Sequence, residues 1–104
     1  MERDAAIQRF EFTFEAIWRA SKQWLLDVEG IDVASPKAVI RSCREVQLIN
    51  DDEAIVLLQM ADDLNLTVHT YNEALAKEIY SRLKSYEVLF RTWLTRVNER
   101  LSTL

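Results

Sequence analysis

The chain has 104 residues, which suffice for one domain with its own apolar core and no support from disulfides or metal. Its single glycine and single proline leave few places for turns, and an apolar content of 49% excludes a disordered chain. One cysteine excludes an internal disulfide and a multi-cysteine zinc site, and a net charge of −4 gives no general reason to expect nucleic-acid binding. No stretch is typical of an export signal or long enough in apolar residues to span a membrane. We therefore predict a single domain over residues 1–104, cytoplasmic and without a membrane segment.

The only glycine separates the first two predicted helices. Apolar residues recur every three or four positions over residues 2–29, which predicts one long amphipathic helix that ends at Gly30. Ser35 is a favoured N-cap residue, and Pro36 is favoured at the first helical position. The sequence therefore predicts that a second, shorter helix begins at this pair.

The third and fourth predicted helices follow without another glycine. Asn50 followed by Glu53 fits an N-cap with a reciprocal acidic partner, and the apolar stripe of the third helix continues to Leu64. The fourth helix is expected to begin at Thr70, with Glu73 completing a capping box. At ~1.5 Å per residue, its thirty or so residues make a rod of roughly 45 Å. The prediction is an all-α fold, an antiparallel four-helix up-and-down bundle with two long and two short helices.

Two groups of side chains have structural interpretations. Phe12 and Trp18 lie off the main apolar stripe of the first helix, which predicts a second buried face that a partner subunit could cover. Arg91, Arg96 and Arg100 on the last helix are expected to form a solvated edge, with an RNA-facing or partner-facing surface as the alternative.

Charge is distributed unevenly along the chain. Residues 77–104 contain six basic and three acidic side chains, whereas residues 47–76 contain no lysine or arginine. A free polyanion would be repelled by this second segment unless basic side chains from elsewhere reach in. We call its six carboxylates the acidic belt: Asp51, Asp52, Glu53, Asp62, Asp63 and Glu73.

The only histidine, His69, lies in a predicted loop between the third and fourth helices, and Tyr71 follows two residues later. A histidine can act as a general acid or base near neutral pH, and a tyrosine hydroxyl can relay a proton or accept a transferred group. The residue types alone favour the structural interpretation, in which His69 is a helix-end or core histidine and Tyr71 is a packed aromatic with an exposed hydroxyl. One histidine with no cysteine or second histidine near it in the sequence makes a weak metal site, so we predict neither a metal nor another cofactor.

A specific resemblance covers nearly the whole chain. It rests on residues 9–15 with Trp18, residues 35–41 and residues 65–73, three blocks that stand in the same order as in a known family. The chain resembles the HEPN superfamily and, more narrowly, the nucleotidyltransferase substrate-binding proteins. This resemblance implies a helical bundle that forms a homodimer and binds a minimal nucleotidyltransferase, the two together behaving as a toxin–antitoxin pair.

In that family, the motif typical of metal-independent ribonucleases is Arg, four residues, His, any residue and Tyr. The resemblance implies that His69 is a general acid or base and that Tyr71 is the residue to which the transferase adds AMP. RNA or a nucleotide would lie in the cleft between two copies. The motif arginine would stand at Leu64, which has no charge. The remaining candidate binding residues are Asn65 and Thr67 in the loop, and Arg41 and Arg44, which could supply a substitute charge.

Three functions follow from this reading. The preferred one is a partner of the nucleotidyltransferase with little or no nuclease activity, because losing a charge-assisted transition-state contact often costs ~2–4 kcal/mol. The acidic belt would then suit a basic docking surface on the transferase. The alternative is an active ribonuclease toxin that uses His69 and is neutralised by AMP transfer to Tyr71. The third is a helical dimer in which both residues only pack.

Overall fold

The computed structural model describes residues 2–69 and 73–102, with side chains over residues 5–65 and 73–100. The predicted all-α fold with two long and two shorter helices is confirmed, and no strand occurs among the described residues. The four helices are α1 (Glu2–Trp24, continued by a π-helical turn, Leu25–Glu29), α2 (Pro36–Glu45), α3 (Asp51–His69) and α4 (Glu73–Ser102).

The end of α1 and the start of α2 follow from local chemistry, as predicted. Gly30 adopts the left-handed conformation (φ 69°) that favours glycine, and its N–H donates to the carbonyl oxygen of Leu25. The Ser35 hydroxyl accepts a hydrogen bond from the N–H of Ala38 at 3.2 Å, and Pro36 occupies the first helical position. The single glycine and the single proline thus both serve as helix boundaries.

The predicted cap at the start of α3 is also confirmed. The N–H of Asn50 donates to Oε1 of Glu53 at 2.9 Å, and the N–H of Glu53 donates to Oδ1 of Asn50 at 2.8 Å. This is a capping box in which asparagine replaces the usual serine or threonine. Thr70, the predicted start of α4, lies outside the described residues, and α4 is described from Glu73.

Contacts along the two long helices show that α1 and α4 run in the same direction. Phe10 stacks on Phe90 with ring centres 4.5 Å apart, and further along both helices the Arg100 guanidinium lies 5.8 Å from the ring centre of Trp24. The expected up-and-down order, in which these helices would be antiparallel, is therefore wrong for this pair.

The connection between α1 and α2 accounts for this difference. Residues 30–35 are non-helical and return the chain along the bundle. At about 3.3 Å per extended residue they span up to about 20 Å, which exceeds the roughly 15 Å length of α2. Helix α3 is antiparallel to both α2 and α4, as its ion pairs show. These pairs are Asp62 with Lys37 and Asp51 with Arg44 of α2, and Asp63 with Arg82 and Glu53 with Arg96 of α4.

The apolar core lies between all four helices. Trp18, expected on a second buried face, is buried by its own chain, whereas Phe12 is exposed. Of these two residues, only Phe12 would need a partner to cover it. Cys43 is also buried, and burial raises the pKa of its thiol to about 12 against smaller opposing effects of Trp93 and Arg100. Such a thiol is unreactive near neutral pH.

No helix within residues 2–69 and 73–102 combines the length and the apolar character needed to cross a membrane.

Candidate functional site

The predicted site lies at the carboxyl end of α3. Residues 65–69, expected in a loop, continue the helix, since no glycine or proline interrupts them. Asn65 is exposed on α3, and His69 is the last residue of the helix. The side chains of Thr67 and His69 and the whole of Tyr71 lie outside the described residues, so their roles stay predictions.

Leu64 occupies the position at which the motif arginine would stand. Its side chain is only 5% exposed and belongs to the apolar core. Burying a leucine side chain is worth about 1.5–3 kcal/mol, whereas burying an unpaired charge costs more than that. In this chain, residue 64 therefore contributes to the packing of the apolar core.

The two arginines considered as substitutes lie elsewhere on the bundle. Nε of Arg44 is 3.9 Å from Oδ1 of Asp51, which begins α3, whereas His69 ends this helix of 19 residues, about 28 Å away. Arg41 is exposed on α2, about one turn from Arg44. A role for either arginine in a site at His69 therefore requires a second copy of the chain.

The structure places a buried polar cluster two turns before the carboxyl end of α3. Asp63 is 6% exposed, and its Oδ2 accepts hydrogen bonds from the hydroxyl of Tyr86 and, at 2.8 Å, from Nη1 of Arg82. Burial raises the pKa of Tyr86, and the hydrogen bond and charge of Asp63 act in the same direction. The hydrogen bond to Asp63, followed by its charge, raises the pKa of Arg82. At neutral pH Tyr86 is therefore a neutral donor and Arg82 a cation, and together they join α3 to α4.

Sequence reasoning missed Arg82 and Tyr86 as partners of Asp63. One signal was present: Asp63 directly precedes Leu64 within the apolar stripe of α3, and a carboxylate near a core needs a donor or a cation. The spacing of Arg82 and Tyr86, one turn apart on α4, places both on one face. Nothing in the sequence relates that face to Asp63.

Basic side chains from α2 and α4 do reach the acidic belt. Ion pairs bind four of its six carboxylates, so the belt carries less free negative charge than the sequence indicates. The pairs are Asp51 with Arg44, Glu53 with Arg96, Asp62 with Lys37 and Asp63 with Arg82.

The arginines at the end of α4 have different surroundings from one another. The expected solvated position is confirmed for Arg91, which is exposed and, among the described residues, pairs with a glutamate one turn earlier. It is wrong for Arg96, which donates to Glu53 and to the carbonyl oxygen of Leu48, and for Arg100, which donates to that of Gln47 at 3.0 Å. These two side chains secure the α2–α3 turn, where Gln47 adopts a positive φ of 63°.

We expect Glu53→Gln to reduce the loss of stability at acid pH. Burial alone would raise the pKa of Glu53, but hydrogen bonds from Arg96 and from the N–H of Asn50, with the Arg96 charge, lower it below its ordinary value of 4.5. The folded chain therefore binds this proton less readily than the unfolded chain. Its contribution to stability is present above that value and is lost as the pH falls through it toward the lower folded pKa. Urea unfolding between about pH 7 and pH 3 measures this, because stability should fall less steeply in the variant than in the wild type.

The matched control for Glu53→Gln is Asp52→Asn, since Asp52 is the neighbouring acid of the same helical turn and is exposed. Its acid dependence should follow the wild type. A Glu53→Gln variant that loses stability with pH as steeply as Asp52→Asn would contradict the contribution of the Arg96 pair.

The fold and the arrangement around α3 define a small four-helix protein of the HEPN class. The chain belongs to the nucleotidyltransferase substrate-binding family, because the family model described as "Nucleotidyltransferase substrate binding protein like" matches residues 1–99. This confirms the family predicted from the sequence. A protein of Thermus thermophilus with a known crystal structure is 56% identical and superimposes with a TM-score of 0.88, over 92% of this chain and 81% of that chain.

A more distant similarity involves a much longer protein. The chain is 26% identical over 87 residues to the bifunctional purine biosynthesis protein PurH of Rhizobium johnstonii, which covers 79% of this chain and 16% of that protein. Because the chain spans so small a part of PurH, nothing about its activity follows for this chain.

Proposed function

We propose that this protein is a binding partner of a minimal nucleotidyltransferase and that it has little or no nuclease activity of its own. Its family is described by the binding of a nucleotidyltransferase substrate, and the family match covers residues 1–99. The observation that carries the proposal is the burial of Leu64, which fills the position of the motif arginine and is 5% exposed. In this proposal two copies form a homodimer, and His69 and Tyr71 lie where the transferase or its nucleotide would make contact.

The charges around α3 support a non-catalytic role. Cleavage of a phosphodiester needs a cation that stabilises the charge developing on the phosphate. Among the described residues, the basic side chains that pair with the carboxyl half of α3 are Lys37 and Arg82, and both already bind its carboxylates. If Lys37 or Arg82 bound an RNA phosphate instead, its carboxylate partner would be left unpaired beside that phosphate. The negative carboxylate would then repel the negative phosphate.

The second candidate function is a metal-independent ribonuclease that AMP transfer to Tyr71 would neutralise. The observation in its favour is the presence of both His69 and Tyr71 at the spacing of the family motif. Within one chain, however, Arg41 and Arg44 lie toward the opposite end of α3 from His69. This function therefore requires that a second copy supply the cation.

One preparation tests both functions. The purified protein is mixed with the minimal nucleotidyltransferase of the same organism and examined by size-exclusion chromatography with light scattering, and separately incubated with a pool of small RNAs. We expect a complex containing two copies of this chain and no cleavage above that of His69→Ala. Cleavage by the wild type that His69→Ala abolishes would establish the ribonuclease instead, and the absence of any complex would contradict the partner role.

A Leu64→Arg variant tests whether restoring the motif arginine is sufficient to give the protein ribonuclease activity. Because Leu64 is buried, this variant must first be shown to fold, by circular dichroism and beside the similarly sized Leu64→Met. Cleavage by folded Leu64→Arg, with none by the wild type or Leu64→Met, would support a scaffold whose activity was lost at this one position.

A further inference from the structure

An apolar groove of about 680 Å³ lies between α1 and α4. Phe10, Ile17 and Phe90 contribute to its floor, and the rings of Phe10 and Phe90 stack with centres 4.5 Å apart. Tyr80 and Leu94 line its two ends, and both are more than two-fifths exposed. The groove thus combines a firmly packed floor with large apolar side chains that no part of the described chain covers.

The spacing of the groove residues on α4 is that of a helix-packing face. Tyr80, Lys84, Glu87, Arg91 and Leu94 follow one another at intervals of four, three, four and three residues. From first to last they extend about 21 Å, the length of about four helical turns. The side of α1 that faces them presents smaller or polar residues, which leaves room for another helix: Ala6, Arg9 and Thr13.

The rim of the groove is positively charged. Arg9, Lys84 and Arg91 line it against a single carboxylate, Glu87, which already binds Arg91 at 2.8 Å. Within the described part of the chain, neither Arg9 nor Lys84 forms an ion pair, unlike the basic residues that bind the acidic belt. Uncompensated positive charge therefore borders an exposed apolar floor.

We propose that this groove binds an amphipathic helix of a partner protein, whose apolar ridge covers the floor between Phe10 and Phe90 and whose flanking carboxylates pair with the cations of the rim. Helix-in-groove recognition needs these two components, an apolar floor and charges that set orientation. The inference stands on the groove alone and does not depend on the proposed function. It assigns the docking surface to α1 and α4, including Arg91, which the sequence offered as part of an alternative partner-facing surface. The acidic belt fits this role less well, because most of its carboxylates bind basic residues of the same chain.

Two other occupants fit the groove less well. Nucleic acid gains its affinity from many phosphate contacts, whereas the rim of this groove offers three cations and one carboxylate around an apolar floor. A second copy could present its exposed Phe12, but the neighbouring carboxylate of Glu15 already accepts hydrogen bonds from Trp18 and Arg19. An acidic amphipathic helix from a different protein can cover the apolar floor and can pair its carboxylates with the cations of the rim.

The experiment uses a fluorescein-labelled, hydrocarbon-stapled helical peptide of about four turns, with leucines three and four residues apart and glutamates beside them. Fluorescence anisotropy measures its binding to the full chain. We expect saturable binding that Lys84→Glu/Arg91→Glu weakens about tenfold or more. The same peptide with lysines in place of glutamates should bind at least about tenfold more weakly to the wild type.

The matched control variant is Arg19→Glu. Arg19, like Arg91, is exposed and pairs with a glutamate four residues earlier, but it lies outside the groove. Affinity for the acidic peptide should be unchanged in Arg19→Glu, and circular dichroism should show native helicity for every variant used.

Four outcomes would overturn the proposal. They are no binding of the acidic peptide, equal binding of the lysine peptide, equal loss of affinity in Arg19→Glu, and displacement of the peptide by dimer formation. In the last case, sedimentation would show that the wild type is a dimer and that this dimer does not bind the peptide. The Lys84→Glu/Arg91→Glu variant would then sediment as a monomer. When the first outcome is accompanied by binding of a uridine homopolymer to the wild type that the same variant loses, nucleic acid is the occupant of the groove instead.

Discussion

Phe90→Ala is expected to lower the free energy of unfolding by about 3–5 kcal/mol, the range measured for truncating a buried phenylalanine. Phe90 is buried, and its ring centre lies 4.5 Å from that of Phe10, 5.9 Å from Phe14 and 6.5 Å from Trp93. The ring therefore joins the two long helices, α1 and α4. Removing it leaves a cavity that the neighbouring rings can fill only in part. Urea unfolding followed by far-ultraviolet circular dichroism measures the loss.

The control for this prediction lies two residues earlier on the same helix. Val88 is 67% exposed, so Val88→Ala should change stability by no more than about 0.5 kcal/mol. Similar urea midpoints for Phe90→Ala and Val88→Ala would show that the α1–α4 packing differs from the arrangement described above.

Asp63→Ala is expected to destabilise the fold by about 2–4 kcal/mol. The substitution leaves the buried Tyr86 hydroxyl without its acceptor and removes the counter-charge of Arg82. The effect falls below the upper range for a buried ion pair because the Arg82 side chain is about a third exposed and has a second carboxylate, Glu78, at 3.7 Å. Thermal and urea unfolding of the variant measure the loss directly.

The adjacent residue is a close control for Asp63. Asp62 also forms an ion pair across helices, with Lys37, but both side chains are largely exposed, and such pairs contribute about 0–1 kcal/mol. Asp62→Ala should therefore be nearly neutral. In a Tyr86→Phe background, Asp63→Ala should cost less than in the wild type, since no hydroxyl is then left unsatisfied. Equal costs in the two backgrounds would exclude the Tyr86 hydrogen bond as the source of the effect.

The Asp63 cluster also bears on function. Asp63 precedes His69 by six residues of continuous helix, about 9 Å, and its bonds to Arg82 and Tyr86 attach this part of α3 to α4. The backbone that carries the predicted site is therefore held by a buried polar contact close to it. Loss of the cluster should disturb the site's position before it disturbs the far end of the bundle, where Arg96 and Arg100 secure the α2–α3 turn.

The end of α1 and the starts of α2 and α3 could be predicted from the sequence, whereas α3 continues through residues that were expected in a loop. Gly30, the pair Ser35 and Pro36, and the reciprocal pair Asn50 and Glu53 each act on residues within five positions of themselves. Apolar periodicity likewise identified the stripes that form the core. The family followed from blocks of residues that the family match over residues 1–99 supports.

Tertiary structure alone decided how these pieces are arranged. The parallel course of α1 and α4 depends on an extended connection whose direction no periodicity records. The partners of Asp63 lie 19 and 23 positions away, and those of Arg96 and Arg100 lie 43 to 54 positions away. A sequence pattern reports which face of a helix is apolar, because that depends on near neighbours. A sequence pattern does not show which charged side chains, distant in the sequence, pair with one another, because the pairing depends on how the helices pack.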